Sequence, residues 1–269
     1  MAIAGEITVL IVAGSDSSGG AGLVRDVETV SAFGMKSAAA LTAVTAQTHD
    51  RVIAIQPLDP SLVTRQMLAA LAAENIRAIK IGMLATAETV AEVARVIADH
   101  PEIPVVLDPV IASSSGALLL EKQAIALLLQ NLLPHCCLVT PNLQELQLLC
   151  GMEGELDTGA MSETLFARGA RAVLAKGGHV DSPDCADILY RPHHLPGVFT
   201  SERFSGTLRG TGCMLASGIA ANLAFGRTLE DAIHGAKRHV ESQFRRPHRS
   251  RLNDYRLAPV GSTTCFSRY

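Results

Sequence analysis

No apolar run in this chain is long enough to cross a bilayer. The longest, such as Ile3 to Ala13 and Ala124 to Leu133, fall well short of the roughly 20 residues a spanning helix needs, so no membrane role is expected. The stretch MAIAGEITVLIVAGSDSSGG also lacks the basic segment that precedes the apolar run of a secretory leader. Six cysteines (Cys136, Cys137, Cys150, Cys185, Cys213 and Cys265) contain no CxxC spacing, which reads as reduced thiols in a cytoplasmic protein. An excess of positive charge is missing too. With a net charge of -3 there is no overall pull toward nucleic acid or anionic lipid, and a small-molecule partner is the expectation. No stretch rich in Pro, Gly or Ser divides residues 1–244, and no repeat occurs, so they read as one domain. Walker A is absent, and Gly210-Thr-Gly212 lacks the third glycine of a dinucleotide-binding turn.

What is present is a strong hydrophobic pattern. Hydrophobic residues make up 48% of the chain and charged ones 18%, the balance of a globular protein. Ile7 to Ala13 is a β-branched run that stops at GSDSSGGAG, and LVRDVETVSAFG follows with helical spacing. The alternation then repeats. SAAALTAVTAQ reads as a buried strand, PSLVTRQMLAALAAENI as a helix opened by Pro60-Ser61, and AIKIGML as a strand. TAETVAEVARVIADH, PVVLDPVI, KQAIALLLQNLL, CCLVTPN and LQELQLLCG continue the series. SETLFARGA and RAVLAKGGHV come next, then a hairpin-like region around DILYRPHHL and GVFTSERFS, and a helix pair over Met214–Leu223 and Leu229–Gln243. Strands alternating with helices predict an α/β fold with a mostly parallel sheet buried on both faces. From about Arg245 the periodicity stops. The arginine-rich segment 245–269 reads as a mobile tail, with an extension docked over a site or a neighbouring subunit as the alternative.

In such a sheet ligands gather at the carboxyl ends of the strands, and the polar motifs fall there. Asp16 with Gly19, Gly20 and Gly22 follows the first strand, and Gln47 the second. Asp108 follows PVVL, Asn142 and Glu145 follow CCLVTP, and Lys176-Gly-Gly-His179 follows AVLA. Each has a plain structural explanation: Asp16 or Ser17 as a helix N-cap, Glu145 as a first-turn carboxylate. Five such groups at one edge point to a site. The strongest feature is RGTGC, where Gly210 and Gly212 free backbone N–H groups at the start of a helix, an anion hole for a transferred phosphoryl group. Cys213 falls on the first turn of that helix, where the thiol pKa is expected to be lowered toward neutrality so that it can take a proton from a substrate hydroxyl, or donate to a phosphoryl oxygen. The alternative for Cys213 is a small buried hydrophobe.

AGSDSSGGAGLVRDVETVSAFG, TAVTAQ, KIGML, VVLDPV, TPNLQE, AKGGH and GTGC resemble, in order and spacing over residues 7–243, the hydroxymethylpyrimidine/phosphomethylpyrimidine kinases of thiamine biosynthesis, within the ribokinase-like superfamily. The resemblance implies a central sheet flanked by helices on both faces, ATP and Mg²⁺ as cofactors, and a homodimer. It implies two successive phosphorylations of 4-amino-5-hydroxymethyl-2-methylpyrimidine, to the monophosphate and then the diphosphate. Residue by residue it implies Gly14, Gln47, Met83 and Val110 around the pyrimidine, with Asp26 in or beside that pocket. Gly210, Thr211, Gly212 and Cys213 would form the catalytic turn, and Lys176, Asn142 and Arg209 would meet ATP. Asp108 and Glu145 would act through Mg²⁺ and its waters.

The chain departs from the family pattern at several points. Leu208-Arg209 stands where the family has Thr-His, Ser114 where a lysine is common, and AQTH where AQNT is common. The arginine-rich ending also replaces a glycine- and histidine-rich one. A pyridoxal or pyridoxine kinase of the same branch is one alternative, against which Ser113 occupies the place of those relatives' second cysteine. A non-catalytic pyrimidine-binding regulatory protein is the other.

Overall fold

The computed structural model describes residues 6–113, 116–152, 154, 157–177, 184–202, 204 and 208–245. Expectations about Ser114, His179 and the tail beyond Arg245 fall outside the described residues. The chain order is β1 (Thr8–Asp16), α1 (Gly22–Ala32), β2 (Lys36–Gln47), β3 (Val52–Pro57), α2 (Pro60–Ala73), β4 (Ile76–Ile81), α3 (Ala87–Ala98), β5 (Val105–Leu107) and α4 (Lys122–Leu127). After α4 the helix widens into a π turn over Leu128–Leu132 and ends in a 3₁₀ turn. Then follow β6 (Leu138–Val139), α5 (Leu143–Cys150), α6 (Thr158–Phe166), β7 (Val173–Ala175), β8 (Asp184–Tyr190), β9 (Gly197–Glu202), α7 (Thr211–Ala224) and α8 (Leu229–Arg245).

The strands form one sheet in the order β3-β2-β1-β4-β5-β6-β7-β8-β9. The six from β2 to β7 are parallel, and both margins turn antiparallel, at β3 and at β8–β9. Side chains alternate across β1 as a two-residue period requires. Leu10 and Val12 face a core shared with α2 to α6, while Val9, Ile11 and Ala13 face one shared with α1, α7 and α8. Val9 to Val12 are fully enclosed, and each such side chain stabilises the fold by about 1.5–3 kcal/mol. The chain is thus a three-layer αβα sandwich, with the mostly parallel central sheet that the alternation of strands and helices predicts.

Two local expectations change. β2 is only half covered: Ala43 and Thr45 are buried while Val44 and Ala46 are exposed, because β3 pairs beyond it as an edge ribbon and one face lacks a helix layer. The edge strand β3, hidden in a short run of mixed residues, was not expected. Helix starts follow the capping chemistry elsewhere. Asp59 accepts from Ser61 N–H at 2.8 Å, Thr86 from Thr89 N–H at 3.2 Å, and Asn142 and Glu145 form a reciprocal capping box. The exceptions are α1, α4 and α7, none of which has a side-chain cap. Neither Asp16 nor Ser17 caps α1. Asp16 Oδ1 instead accepts from the Ser18 N–H and hydroxyl, both at 2.7 Å, closing its own turn.

Candidate active site

After β1 the chain crosses to β2 on one side, then returns to place β4 on the other, so the crevice between β1 and β4 is the topological switch point of the sheet. A cavity of about 70 Å³ sits there. Gly14, Gln47, Met83, Val110 and Cys213 line it, together with Asp16 and Lys80. Gly14 leaves room for Met83, whose sulfur lies 3.0 Å from where a Cβ would project. Asp26 does not reach this cavity. It is fully enclosed behind it, where its Oδ2 accepts from Lys80 Nζ at 2.7 Å and its Oδ1 from the Ser217 hydroxyl at 2.7 Å.

A second cavity, of about 360 Å³, opens on the far side of the α7 N-terminus. Asn142, Lys176, Thr211 and Gly212 line it, with Asp187, Lys237, Phe204 and Phe244 forming the outer walls. The Lys237 ammonium donates to Asp187, and the Phe204 and Phe244 rings stack 5.3 Å apart. The turn Gly210–Cys213 therefore has a cavity on each side, Gly212 facing the large one and Cys213 the small one.

The turn is built by two close approaches. Gly210 has φ of +72°, and a Cβ there would lie 2.6 Å from the Gly20 carbonyl oxygen, so only glycine fits without strain. A Cβ at Gly212 would lie 3.2 Å from Lys176 Nζ. The first N–H groups of α7 have no acceptor within their own helix, and with no side-chain cap the macrodipole presents a positive end to both cavities.

Charged groups surround it. Lys176 Nζ donates to Asp108 Oδ1 at 3.0 Å and lies 3.6 Å from Glu145. Burial pushes the Asp108 carboxyl up, but the Lys176 and Lys80 charges outweigh it and hold the group below its usual value. For Glu145 burial wins over Lys176, and its carboxyl titrates high. For Lys176 burial is outweighed by Asp108 and Glu145, so the ammonium stays charged. The two carboxylates suit Mg²⁺, which keeps several waters and takes only one or two protein carboxylates beside substrate phosphates. Among the described residues no cluster of three or more metal-ligating side chains occurs, so an all-protein cage is not what this site offers.

Two placements differ from expectation. The Cys213 thiol is not lowered: burial pushes it up to about 12, despite the pull of Lys80 and an N–H donated by Gly22. The helix end acts, but desolvation of a thiolate costs more here. Arg209 lines neither cavity. Its guanidinium reaches across Gly20 to the loops after β1 and β2, donating to Thr48 O at 2.9 Å and lying 3.7 Å from Asp16 Oδ2. Lys80 is the residue the sequence reading missed. Its signal was a lysine inside AIKIGML, since lysine is almost never fully buried without a partner.

Residues 16–258 match the family model described as phosphomethylpyrimidine kinase. A hydroxymethylpyrimidine/phosphomethylpyrimidine kinase of Rhizobium meliloti is 37% identical over 236 residues, covering 87% of this chain and 88% of the relative. Among solved structures, a phosphomethylpyrimidine kinase from Clostridium difficile superposes with a TM-score of 0.77 at 32% identity, over 89% of this chain and 99% of that one. The pyridoxal kinase of Staphylococcus aureus in complex with AMP-PCP superposes with a TM-score of 0.79 at 30% identity, over 88% of each chain.

Proposed function

This chain belongs to the phosphomethylpyrimidine kinase family, and from that premise we propose that a phosphoryl group crosses the Gly210–Cys213 turn from the large cavity to the small one. The protein is an ATP-using kinase of thiamine biosynthesis that phosphorylates hydroxymethylpyrimidine and its monophosphate. The observation that carries the proposed geometry is the pair of cavities meeting at one uncapped helix start, with a lysine beside each, Lys80 buried and Lys176 half-buried.

On this reading Gly14, Gln47, Met83 and Val110 hold the pyrimidine, the Gln47 amide reading its donor and acceptor edge. Lys176 and Asn142 meet the triphosphate, and the N–H groups of Thr211, Gly212 and Cys213 hold the transferring oxygens. Mg²⁺, held by Asp108 and Glu145 through waters, would neutralise phosphate charge. Cys213 enters as a neutral thiol and a hydrogen-bond partner of the reacting oxygen, not as a standing thiolate. In a loose transition state the alcohol keeps its proton until late and passes it to an oxygen of the transferred phosphoryl group, so a neutral thiol need only position the reacting oxygen. Arg209 ties the turn to the two loops over the small cavity, and Asp26 supports Lys80 from behind. Residues 1–244 form the kinase domain. The working unit is a cytoplasmic homodimer: among the described residues Cys136, Cys137, Cys150 and Cys213 are thiols outside any disulfide, and the exposed Val44 and Ile53 of the β2–β3 ribbon offer apolar surface to cover.

The test is ADP release measured in parallel with hydroxymethylpyrimidine, its monophosphate and pyridoxal. Turnover of both pyrimidines, with pyridoxal far slower, is expected. Preference for pyridoxal would transfer the reading to that substrate, and tight pyrimidine binding without turnover would make the chain a binding protein.

A further inference from the structure

Lys80 lies next to the carboxyl end of β4, paired in register with Ile11 of β1, and has no solvent exposure. Its ammonium carries three protons. Among the described residues its one hydrogen-bond acceptor is Asp26 Oδ2 at 2.7 Å, and Asp26 is itself fully enclosed and held on its other oxygen by Ser217. Burial alone would drive the ammonium toward its neutral form; the Asp26 carboxylate keeps it charged. Desolvating two ions is expensive, and a buried ion pair rarely repays that cost in stability alone. Unlike Asp26, Lys80 also lines the small cavity, beside Cys213. A Cβ on Gly82 would lie 2.8 Å from Lys80 Nζ, so the strand gives up a side chain next to the ammonium.

Lys176 has the matching position on the other side of the turn, lining the large cavity against Asp108. The first acceptor oxygen is a neutral alcohol and the second is a phosphate monoester dianion. A dianion approaching a triphosphate is repelled, and a cation on the acceptor side must offset that repulsion.

We propose that Lys80, held charged by Asp26, is the acceptor-side cation of this enzyme: it contacts the phosphate of the monophosphate substrate and makes the second transfer possible. This rests on the two-step kinase reading above. The test is the ratio of kcat/KM for the monophosphate to kcat/KM for hydroxymethylpyrimidine in Lys80→Met. The ratio is expected to fall about 100-fold, the scale of a lost preorganised donor, with most of the loss in the monophosphate arm. Lys80→Met leaves Asp26 buried and unpaired, so Lys80→Met/Asp26→Asn, with no stranded charge, is measured alongside. Circular dichroism and remaining turnover of the alcohol show that each variant is folded. Monophosphate affinity by calorimetry should fall in both variants while hydroxymethylpyrimidine affinity falls far less. Equal losses with both substrates in a folded variant would overturn the proposal and make the pair structural. Absence of turnover of either pyrimidine by the unaltered enzyme would instead overturn the kinase reading.

Discussion

The two sides of the Gly210–Cys213 turn are built from the same parts under different solvent conditions. On the large-cavity side Lys176 is paired with Asp108 and lies near Glu145, and its side chain keeps 14% exposure. On the small-cavity side Lys80 is paired with Asp26 and both side chains have none. The consequence appears in the carboxylates. Lysine charge wins at Asp108, whose carboxyl is held low, whereas burial wins at Asp26, whose carboxyl is pushed high. A cation that opens on a large cavity can follow a moving, highly charged nucleotide. One enclosed in the wall of a small cavity is held in place and suits a single acceptor group. Both carboxylates are buried, so the contrast teaches that the neighbouring charges decide: Asp108 has Lys176 and Lys80 beside it, whereas Asp26 has Lys80 and the opposing charge of Asp108.

Removing the large-cavity cation should give the largest effect. Lys176→Met is expected to lower kcat by about 10²–10³ with hydroxymethylpyrimidine and with its monophosphate alike, since both transfers draw on the same donor. Steady-state rates with each substrate decide it. A loss confined to one substrate would mean that the two lysines do not divide the site by side.

Cys213→Ala comes next and should split the substrates the opposite way from Lys80→Met. An alcohol must lose a proton during transfer, whereas the monophosphate arrives deprotonated. Without the thiol to orient it for that late loss, the alcohol should react about 10² more slowly, the scale of a misplaced reacting atom, and the second transfer should fall by clearly less. Alkylation of Cys213 by iodoacetamide should climb steadily with pH to at least 10, with no plateau near neutrality, because the thiol is held up at about 12. Equal kinetic losses, or a plateau near pH 7, would remove this role.

Much of this contrast could be read from the residues themselves. β1 with its glycine loop, the AETVAEVARVIA helix and the RGTGC turn announce themselves through period, capping and glycine placement, which are local signals. The groups expected at the carboxyl edge do gather there: Asp108, Glu145 and Lys176 come together although they lie on three different strand ends. What was not legible depends on burial. The pull of a helix end on Cys213 is visible in sequence, but the larger cost of desolvating its thiolate is not. Arg209 was expected at ATP from the family resemblance, yet only the fold shows that the carbonyl of Thr48, 161 residues away in sequence, accepts its hydrogen bond. Likewise Asp26 sits in a helix pattern that reads as amphipathic, and nothing local reveals that a lysine on β4, 54 residues away in sequence, packs against it.

The smallest effect concerns acid stability and separates the two carboxylates directly. The Asp108 carboxyl lies below its ordinary 3.8 in the folded protein. A depressed carboxyl contributes stability that is whole above the unfolded value and is lost as pH falls through the folded one. Asp108 should therefore add to the loss of stability below about pH 4, and Asp108→Asn should flatten that limb. Asp26 is raised by burial, so its charged form is penalised by folding above its ordinary value and gains nothing to lose in acid. A raised carboxyl gains stability as pH falls through its folded value and so opposes the acid loss, and Asp26→Asn should make the acid limb steeper, the opposite of Asp108→Asn. Urea midpoints followed from pH 6 to pH 3 test this through slopes, which for one proton reach at most about 1.4 kcal/mol per pH unit. If the two variants show the same slope, the difference between the two carboxylates has no thermodynamic weight, and the contrast between the two lysine pairs falls with it.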